Sequence, residues 1–465
     1  MKKNIILIAS MALVLGISSC KKDLDQQPTD TFSENNAFLT LDDIQLGTNE
    51  AYGRYGAYAN DMYTSALVSD EAKIGSGNSG QGALTYRYQY ASDGTTGGDV
   101  TSAWGDYYTV IDQCNRVLAK VGTVTAPPSM EYRRNILKGQ LLALRGISYF
   151  SLLEAYCKKY DAADTRGVPV VLESNPLQKP ARNSMGEVMA QIESDLTTAK
   201  TLLPAASPAD FTDTVMNSIN VAAYQARIAL YKRDYDQAAI YATEVITSGI
   251  RPLVSGAQFE GIWTDDVYDE VLFRIRYATS GAIGGLWTTT SNNIYIAPSD
   301  KLVAAYGPTD VRASAYIGTN STGNYVNKFY SSSRGGRVVD IKACRMAEMY
   351  LIRAEANARK SSPDLAAAAT DLNFLRAQRI TGYTNETFSS AAALIDAIMN
   401  ERFKELAFEG FRIFDLKRND MSVERLASDA SASWQTLPAG NFRFVFPIPN
   451  EEILANPNVA QNDGY

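Results

Sequence analysis

Glu405 and Glu409, near the C-terminal end of the sequence, are carboxylates whose spacing would suit acid and base chemistry on one helical face. Arg402 precedes them and Arg412 follows them, at spacings of three, four and three residues, so the four charges would follow one another along that face. The surrounding segment, ERFKELAFEGFRIFDLKR (401–418), is rich in phenylalanine and leucine. These charges therefore belong beside a core, where they have to be paired.

Two interpretations of these charges compete, a buried ion network that holds the fold together and a pair of catalytic carboxylates. The carboxylates of a glycosidase flank the scissile bond from two sides, whereas Glu405 and Glu409 would lie one turn apart on one helix. The sequence contains no histidine, which removes the commonest general base and the commonest metal ligand. We therefore predict a structural network and no catalytic residue, metal site or cofactor; an α-helical glycoside hydrolase is the weaker alternative.

The composition is that of a globular protein. The 465 residues, 45% hydrophobic and 20% charged, are enough to bury one large core or two lobes. The formal net charge of −7 argues against nucleic acid as a partner. The 27 tyrosines supply rings that can stack on a ligand and still form hydrogen bonds, although most of them are expected to line helix interfaces.

The first 20 residues, MKKNIILIASMALVLGISSC, combine two lysines, an apolar run and small residues before a cysteine. The apolar run is too short to span a membrane and is typical of a signal peptide. Residues 17–20, ISSC, resemble the lipobox of bacterial lipoproteins, in which the cysteine is acylated. We predict a removed signal peptide over 1–19, a lipid on Cys20 and a polar tether over 20–30; the alternative is a secretory signal with a chance cysteine.

Three further cysteines, Cys114, Cys157 and Cys344, remain in the mature chain. Their number is odd, and none of them lies in a CxxC motif. The sequence therefore predicts buried, unreactive thiols, of which at least one has no partner within the chain.

Helical periodicity dominates the rest of the chain, and two segments have the plan of a helical hairpin. Residues 221–246 contain an apolar helix, the turn KRDY and a second helix, with alanines on both helices that permit close approach. Residues 347–379 repeat this plan around the break SSP. The fold class is therefore predicted as mainly α, with a scaffold of hairpins like those of tetratricopeptide repeats.

Two stretches have a different, irregular texture. Residues 74–100 are rich in Gly, Ser and Thr and carry tyrosines at alternate positions, which would place these rings on one face of a strand or extended loop. Residues 270–277, EVLFRIRY, alternate like a strand, and a loop over 278–297 follows. Trp287 lies in this loop among glycines and threonines, so it is the best candidate for an exposed aromatic platform, with burial as the equal alternative.

Six motifs together resemble the SusD/RagB family of outer-membrane lipoproteins. They are the lipobox at Cys20, GVPVV (167–171), EVLFRIRY (270–277), MAEMYLIRAEANAR (346–359), the 401–418 segment and the ending PIPNEEI…NPNVAQNDGY. The resemblance covers nearly the whole chain and implies one domain over 31–465, in which four tetratricopeptide-like hairpins support an irregular, short-strand part that holds the ligand.

The resemblance also implies a role without catalysis. Such a protein is anchored by lipid to the outer membrane, faces the cell surface, captures oligosaccharides and delivers them to a SusC-like TonB-dependent transporter that it caps. A peptide or another nutrient carried to the same transporter is the alternative cargo.

The two irregular stretches offer the chemistry that a sugar site needs. Sugars present apolar C–H faces and hydroxyl edges, so their sites combine aromatic rings with carboxylate, amide and basic groups. We therefore predict that both loops form one shallow glycan site. Its candidate residues are Asp70, Lys73, Asn78, Tyr86, Tyr88, Trp287, Asn292 and Tyr295.

Overall fold

The computed structural model describes residues 37–277, 283–289 and 291–465. The signal peptide over 1–19, the lipid attachment at Cys20 and the tether over 20–30 lie outside the described residues, so these boundaries remain predictions. Among the helices of the described ranges, none is long and apolar enough to cross a bilayer.

The structure is mainly helical, as predicted. The first half of the chain contains α1 (Leu41–Arg54), α2 (Tyr58–Val68), β1 (Ala72–Ile74), α3 (Ala83–Tyr86), α4 (Gly98–Val121), α5 (Glu131–Tyr156), α6 (Met185–Leu202), α7 (Ser218–Lys232), α8 (Tyr235–Thr247), α9 (Gly256–Ile262), β2 (Val271–Ile275) and α10 (Gly284–Trp287). The remainder contains β3 (Ile296–Pro298), α11 (Asp300–Ala305), α12 (Arg312–Tyr316), β4 (Ile317–Asn320), β5 (Gly323–Val326), β6 (Ser331–Ser332), β7 (Gly335–Gly336), β8 (Ile341–Arg345), α13 (Met346–Arg359), α14 (Leu365–Arg379), α15 (Ala391–Glu405), α16 (Arg412–Arg418), β9 (Val423–Glu424), β10 (Thr436–Leu437) and α17 (Asn450–Ala455).

Both predicted hairpins are present, as α7 with α8 and as α13 with α14. Asn217 caps α7, and Asp234 caps α8 by accepting the backbone N–H of Gln237, which fixes where the two helices begin. Buried alanines such as Ala222 and Ala242 let the helices approach closely. Helix α8 also packs against α13, and α4, α5 and α6 pack in succession, so the hairpins form one continuous scaffold.

The strands are short, and within the described ranges they form five separate two-stranded antiparallel pairs. The predicted strand at 270–277 is observed as β2, which pairs with β8. The expectation of a strand or extended loop at the alternating tyrosines is wrong, because Tyr86 ends the short helix α3 and Tyr88 adopts a φ of 58°. Tyr86 and Tyr90 are buried, so the three rings do not share an exposed face.

The segment 401–418 is not one helix. Helix α15 ends at Glu405, the chain turns through positive φ at Phe408 (64°) and Gly410 (93°), and α16 begins at Arg412. Glycine at position 410 adopts this conformation without the steric cost that an L side chain meets. Glu405 and Glu409 therefore lie on two sides of a turn and not along one helical face.

Both carboxylates belong to a buried ion network, as predicted, but their partners come from other segments. Glu405 accepts hydrogen bonds from Arg379 at 3.0 Å, Arg345 at 3.0 Å and Arg312 at 3.1 Å. Glu409 accepts from Arg345 at 2.7 and 2.8 Å and from Lys328 at 2.6 Å. Arg345 thus bridges the two carboxylates.

The electrostatics of the network keep Glu405 ionised. Burial alone would raise the pKa of Glu405, but the guanidinium groups of Arg379, Arg345 and Arg312 hold it well below its usual value. The other two predicted members pair elsewhere: Arg402 binds Asp415 at 2.8 Å, and Arg412 binds Asp70 at 2.7 Å. The expected pairing among the four residues is therefore wrong, although each of them is buried and paired.

The three cysteines Cys114, Cys157 and Cys344 are free and buried, as predicted. Burial raises the pKa of the Cys114 thiol to about 12 and that of Cys157 to about 11. Since the thiolate is the reactive form, these side chains act as small apolar groups.

We predict that Glu409→Ala lowers the free energy of unfolding by about 3–5 kcal/mol, because Arg345 and Lys328 would stay buried without this carboxylate. Urea unfolding followed by circular dichroism measures the change. The control is Glu50→Ala, which removes an exposed ion pair with Arg54 and should cost at most about 1 kcal/mol. Equal losses in the two variants would contradict the role assigned to the network.

Candidate functional site

The two irregular stretches lie side by side because β1 pairs with β3, with Lys73 opposite Ala297. Beyond the strands, the backbone N–H of Gly75 donates to the carbonyl of Tyr295 at 2.9 Å, and that of Gly77 donates to Ile294 at 2.9 Å. A Cβ atom on Gly77 would lie 2.8 Å from the Cβ of Asn293, so glycine permits this close approach. Residues from both predicted loops thus share one surface.

Asp70, Lys73 and Asn78 mainly hold this region together. Asp70 is buried between Arg412 at 2.7 Å and Lys301 at 2.6 Å. Burial would raise the pKa of Asp70, but these two cations lower it to about 2. Half-buried Lys73 binds Asp300 at 2.5 Å, and the Asn78 amide donates to the carbonyl of Tyr295 at 3.0 Å.

The aromatic candidates of the first stretch are likewise engaged within the protein. Tyr86 is buried, and its hydroxyl donates to the carbonyl of Asp429 at 2.7 Å. Half-buried Tyr88 donates to the carbonyl of Val68 at 3.1 Å. The guanidinium of Arg425 lies 4.0 Å from the ring centroid of Tyr86 and 4.7 Å from that of Tyr88, so it holds both rings.

Trp287 is not an exposed platform, so this expectation is wrong. Only 1% of its surface is exposed. Its ring packs against Tyr63, Phe408 and Phe329 at centroid distances of 5.5, 5.4 and 6.0 Å. Residues 284–287 form the helical turn α10, and these packing partners come from distant parts of the chain, so the neighbouring glycines and threonines gave no sign of them.

Asn292 is the one exposed residue among the eight candidates, and Tyr295 is half-buried. Asn292 adopts a φ of 63°, a left-handed conformation that asparagine tolerates well. Its side-chain oxygen accepts hydrogen bonds from the Tyr330 hydroxyl at 2.7 Å and from Arg337 at 2.9 Å. Asn292 therefore leads to a neighbouring feature that the sequence analysis missed.

That feature is a pair of half-buried tyrosines, Tyr325 on strand β5 and Tyr330 just after it, whose ring centroids lie 4.3 Å apart at an interplanar angle of 35°. The Arg337 guanidinium lies 4.5 Å from the Tyr330 centroid. A Cβ atom at Gly318, the cross-strand partner of Tyr325, would overlap the Tyr325 ring. Glycine at 318 therefore lets this ring lie across the β4–β5 hairpin.

We call Asn292, Asn320, Tyr325 and Tyr330 the tyrosine surface. Asn320 donates to the carbonyl of Asn292 at 3.4 Å, and Ser76 donates to the carbonyl of Thr322 at 3.0 Å, so the hairpin is joined to both predicted loops. The exposed parts of two adjacent rings can contact the apolar C–H groups of a ligand, and the amide groups beside them can bind its hydroxyl groups. This is the chemistry that sugar binding requires.

The tyrosine surface is attached to the buried network through Lys328. This residue lies between the two tyrosines, in a single 3₁₀ turn over Asn327–Phe329. Its ammonium donates to Glu409 at 2.6 Å and to the carbonyl of Ala407 at 2.7 Å. Burial lowers the pKa of Lys328 to about 7 against the opposing effect of Glu409. The position of the rings thus depends on the network around Glu409.

The turn composition of GTNSTGNYVNKFY (318–330) was the signal for this hairpin. It places the polar residues Asn320, Ser321 and Thr322 before Gly323, with a tyrosine soon after. No group of three or more His, Cys, Asp or Glu side chains in the described ranges is arranged to hold a metal ion.

Comparison with known proteins identifies the family. The model of the SusD family matches residues 276–465, and a model described as "Starch-binding associating with outer membrane" matches residues 21–230. The chain belongs to the SusD family. The resemblance inferred from the motifs is therefore confirmed. Membership of this family identifies the chain as a glycan-binding protein of the SusD type that is associated with the outer membrane.

Individual relatives agree in length and fold. The SusD-like protein P38 of Formosa agariphila is 22% identical over all of this chain and 99% of its own. A SusD superfamily protein from Bacteroides thetaiotaomicron is 27% identical, with a TM-score of 0.80 over 91% of this chain and 99% of its own. A putative sugar binding protein from Bacteroides vulgatus is 26% identical, with a TM-score of 0.79 over 92% of this chain and 99% of its own.

Glu71 is an unusual group in this SusD-family chain because it is buried next to Asp70 and forms no ion pair with any residue that the structure describes. One of its carboxylate oxygens accepts the backbone N–H of Phe408 at 3.3 Å, and the other has no hydrogen-bond partner within the described residues. Burial raises the pKa of Glu71 to about 8, although Arg412 acts against this. The side chain is therefore protonated at neutral pH.

We predict that Glu71→Gln changes the pH dependence of stability. The raised pKa means that the folded protein binds this proton more tightly than the unfolded chain does. The contribution of Glu71 to the free energy of unfolding is therefore fully present below the unfolded pKa of 4.5. This contribution is lost as the pH rises toward about 8. Glutamine does not titrate, so the variant should match the wild type near pH 4 and exceed its melting temperature increasingly up to pH 8.

Thermal unfolding at a series of pH values tests this expectation. Glu173→Gln is the matched control, because Glu173 is exposed and its replacement should leave the pH profile unchanged. A constant difference between Glu71→Gln and the wild type over this pH range would contradict the assignment.

Proposed function

We propose that this protein is a lipid-anchored cell-surface lipoprotein that captures oligosaccharides and delivers them to a SusC-like TonB-dependent transporter of the outer membrane. Family membership supports the class of ligand, and the relative from Bacteroides vulgatus is described as a putative sugar binding protein. The protein acts as a binder without catalysis. In support, Glu405 and Glu409 are buried and bound by arginine and lysine, so neither can reach a substrate.

The observation that carries the proposal is the tyrosine surface. Tyr325 and Tyr330 pack against each other with ring centroids 4.3 Å apart and are half-buried, and Asn292 and Asn320 supply amide groups beside them. The rings are held before any ligand arrives, by Gly318 beneath Tyr325 and by Arg337 and Asn292 around Tyr330. A preorganised surface loses little conformational entropy on binding, which favours capture of a flexible sugar chain.

Of the eight residues first proposed for the site, Asn292 is retained as a ligand contact. Lys73, Asn78 and Tyr295 lie in the paired β1–β3 region next to it and are proposed to support its edge, and Tyr88, held by Arg425, is proposed to support the first loop. Asp70, Tyr86 and Trp287 are buried, so we propose that they position the loops without contacting the ligand.

We predict that Tyr330→Ala and Tyr325→Ala each weaken oligosaccharide binding about tenfold, because the contact of one tyrosine ring with the C–H groups of a sugar stabilises the complex by about 1 kcal/mol or slightly more. Calorimetric titration against a panel of neutral oligosaccharides measures the change, beginning with starch-derived malto-oligosaccharides. Both rings are half-buried at the surface, so the melting temperature should fall only slightly.

The control for this prediction is Tyr132→Ala, which removes a tyrosine that is 63% exposed at the start of α5. Its affinity should equal that of the wild type. Binding that survives in both Tyr330→Ala and Tyr325→Ala would exclude the tyrosine surface as the ligand site.

We further predict that Cys20→Ala releases the protein from the membrane, because the acyl chains on Cys20 would be its anchor. Fractionation of cells followed by immunoblotting should find the wild type in the outer-membrane fraction and the variant in soluble fractions. Cys114→Ala, which removes a buried thiol, should remain in the membrane fraction. Retention of Cys20→Ala at wild-type levels would argue against the lipid anchor.

A further inference from the structure

A second cavity, of about 520 Å³, lies on a part of the molecule that shares no residue with the tyrosine surface. It is formed where the end of α5, the turn between α7 and α8, and the end of α16 meet the segment around Phe442. We call it the basic pocket and define it by Lys158, Lys159, Arg233, Lys417, Met421 and Phe442. Its volume is in the range of small-molecule sites.

The four cations of the basic pocket differ in their partners. Lys158 binds Asp463 at 3.2 Å, and Lys159 binds Asp420 at 2.5 Å. Lys417 donates to the carbonyls of Glu154 and Cys157 at the end of α5, and Arg233 forms no ion pair with any residue that the structure describes. Among the described residues, Arg233 therefore has no carboxylate partner, whereas the ammonium of Lys417 is bound by backbone carbonyls and lies near the carboxyl group of Glu154.

The other acidic side chains around the pocket do not neutralise these two cations. The carboxylate of Asp164 accepts the backbone N–H of Arg166 at 2.9 Å and lies 3.9 Å from its guanidinium. Asp161 is exposed and accepts the backbone N–H of Ala163 at 3.0 Å. Burial lowers the pKa of Lys417 to about 8, so its ammonium is still mainly charged at pH 7.

Arg233 follows the last residue of α7 and lines the cavity. Its backbone adopts the left-handed conformation, with φ of 65° and ψ of 26°. Glycine or asparagine adopts this conformation at the end of a helix more readily than arginine does. Asparagine is therefore a well-tolerated replacement for arginine at this position. The guanidinium of Arg233 forms no ion pair with any residue that the structure describes. Such a group beside a cavity can bind an anion with two parallel hydrogen bonds.

The remaining lining suits the body of a sugar. Phe442 and Met421 are 37% and 38% exposed, so they offer apolar surface next to the cations. A pyranose ring has an apolar face that packs on such a surface, and an acidic sugar adds one carboxylate.

We propose that the basic pocket binds an acidic sugar, such as a hexuronate unit, through its carboxylate at Arg233 and Lys417 and through its ring at Phe442. The choice of a sugar rests on the proposed function, whereas the anionic character rests on the pocket alone. The protein would then hold an acidic glycan at two places, with neutral units on the tyrosine surface and a uronate in the basic pocket.

Titration of the purified protein with D-glucuronate and, separately, with D-glucose tests this proposal at pH 7 and low ionic strength, followed by calorimetry or ligand-observed NMR. Glucuronate should bind at least about tenfold more tightly than glucose. Arg233→Asn should weaken glucuronate binding at least about tenfold while leaving the melting temperature equal or higher, because asparagine fits the left-handed conformation. That combination separates loss of binding from loss of fold.

The matched control is Lys232→Asn, which removes the same charge from the preceding residue, outside the pocket, where it binds Glu193. Its affinity for glucuronate should stay within about twofold of the wild type. Equal affinities for glucuronate and glucose, or unchanged binding in Arg233→Asn, would overturn the proposal. Inorganic sulfate bound as tightly as glucuronate would indicate an adventitious ion only and would also overturn it.

Tyr330→Ala separates this inference from the proposed function. Glucuronate binding that persists in this variant supports the basic pocket, whatever happens to neutral oligosaccharides. Glucuronate binding that disappears in Tyr330→Ala would overturn the assignment to this pocket. If neutral oligosaccharides bind the wild type normally and glucuronate does not, the basic pocket is excluded and the proposed function stands.

Discussion

The pairing of Glu405 and Glu409 with cations from four other segments is the constraint on which the rest of the structure depends. Arg345 ends β8, Arg379 ends α14, Arg312 begins α12 and Lys328 lies just beyond β5. Each of these side chains is at most 2% exposed, so neither water nor salt can replace a missing partner. Removing charges from water is costly, and a buried pair adds little net stability over an apolar pair. The buried network makes one arrangement of these segments much lower in free energy than the alternatives, because any other arrangement would leave buried charges unpaired.

This constraint extends from the helical scaffold to the irregular part of the protein. Helices α13 and α14 belong to a hairpin, and β8 leads directly into α13, so Arg345 and Arg379 fix the network to the scaffold. Lys328 connects the same network to the β4–β5 hairpin. Arg412, the first residue of α16, connects that helix to Asp70 next to β1. Short two-stranded pairs are marginally stable on their own. Here they are held in place by charged groups that are anchored in the helical part.

Sequence patterns were sufficient where the determining contacts are local. The hairpins at 221–246 and 347–379 follow from periodicity, alanine positions and caps within a few residues, and β2 follows from alternation. Trp287 shows where this reasoning stops, because its partners Tyr63 and Phe408 are more than a hundred residues away in either direction. The neighbouring phenylalanines were enough to predict that Glu405 is buried and paired. They could not predict that its partners are Arg312 and Arg345, because these arginines are also distant in the sequence. Tyr325 and Tyr330 gave only a turn signal, and their stacking depends on Gly318 across the strand pair.

The residues that hold the tyrosine surface differ from those that would touch a ligand, and this separation suits a binding protein. A side chain at position 318 would overlap the ring of Tyr325, Lys328 binds the buried carboxylate of Glu409, and Arg337 packs on the ring of Tyr330. Replacing Gly318, Lys328 or Arg337 therefore disturbs the fold. Tyr325, Tyr330 and Asn292 are half-buried or exposed, where substitutions have small effects on stability. Ligand contacts on such a support can therefore change in type without loss of the fold. A family that shares one scaffold can in this way accommodate different ligands, because function depends on the site and not on the fold.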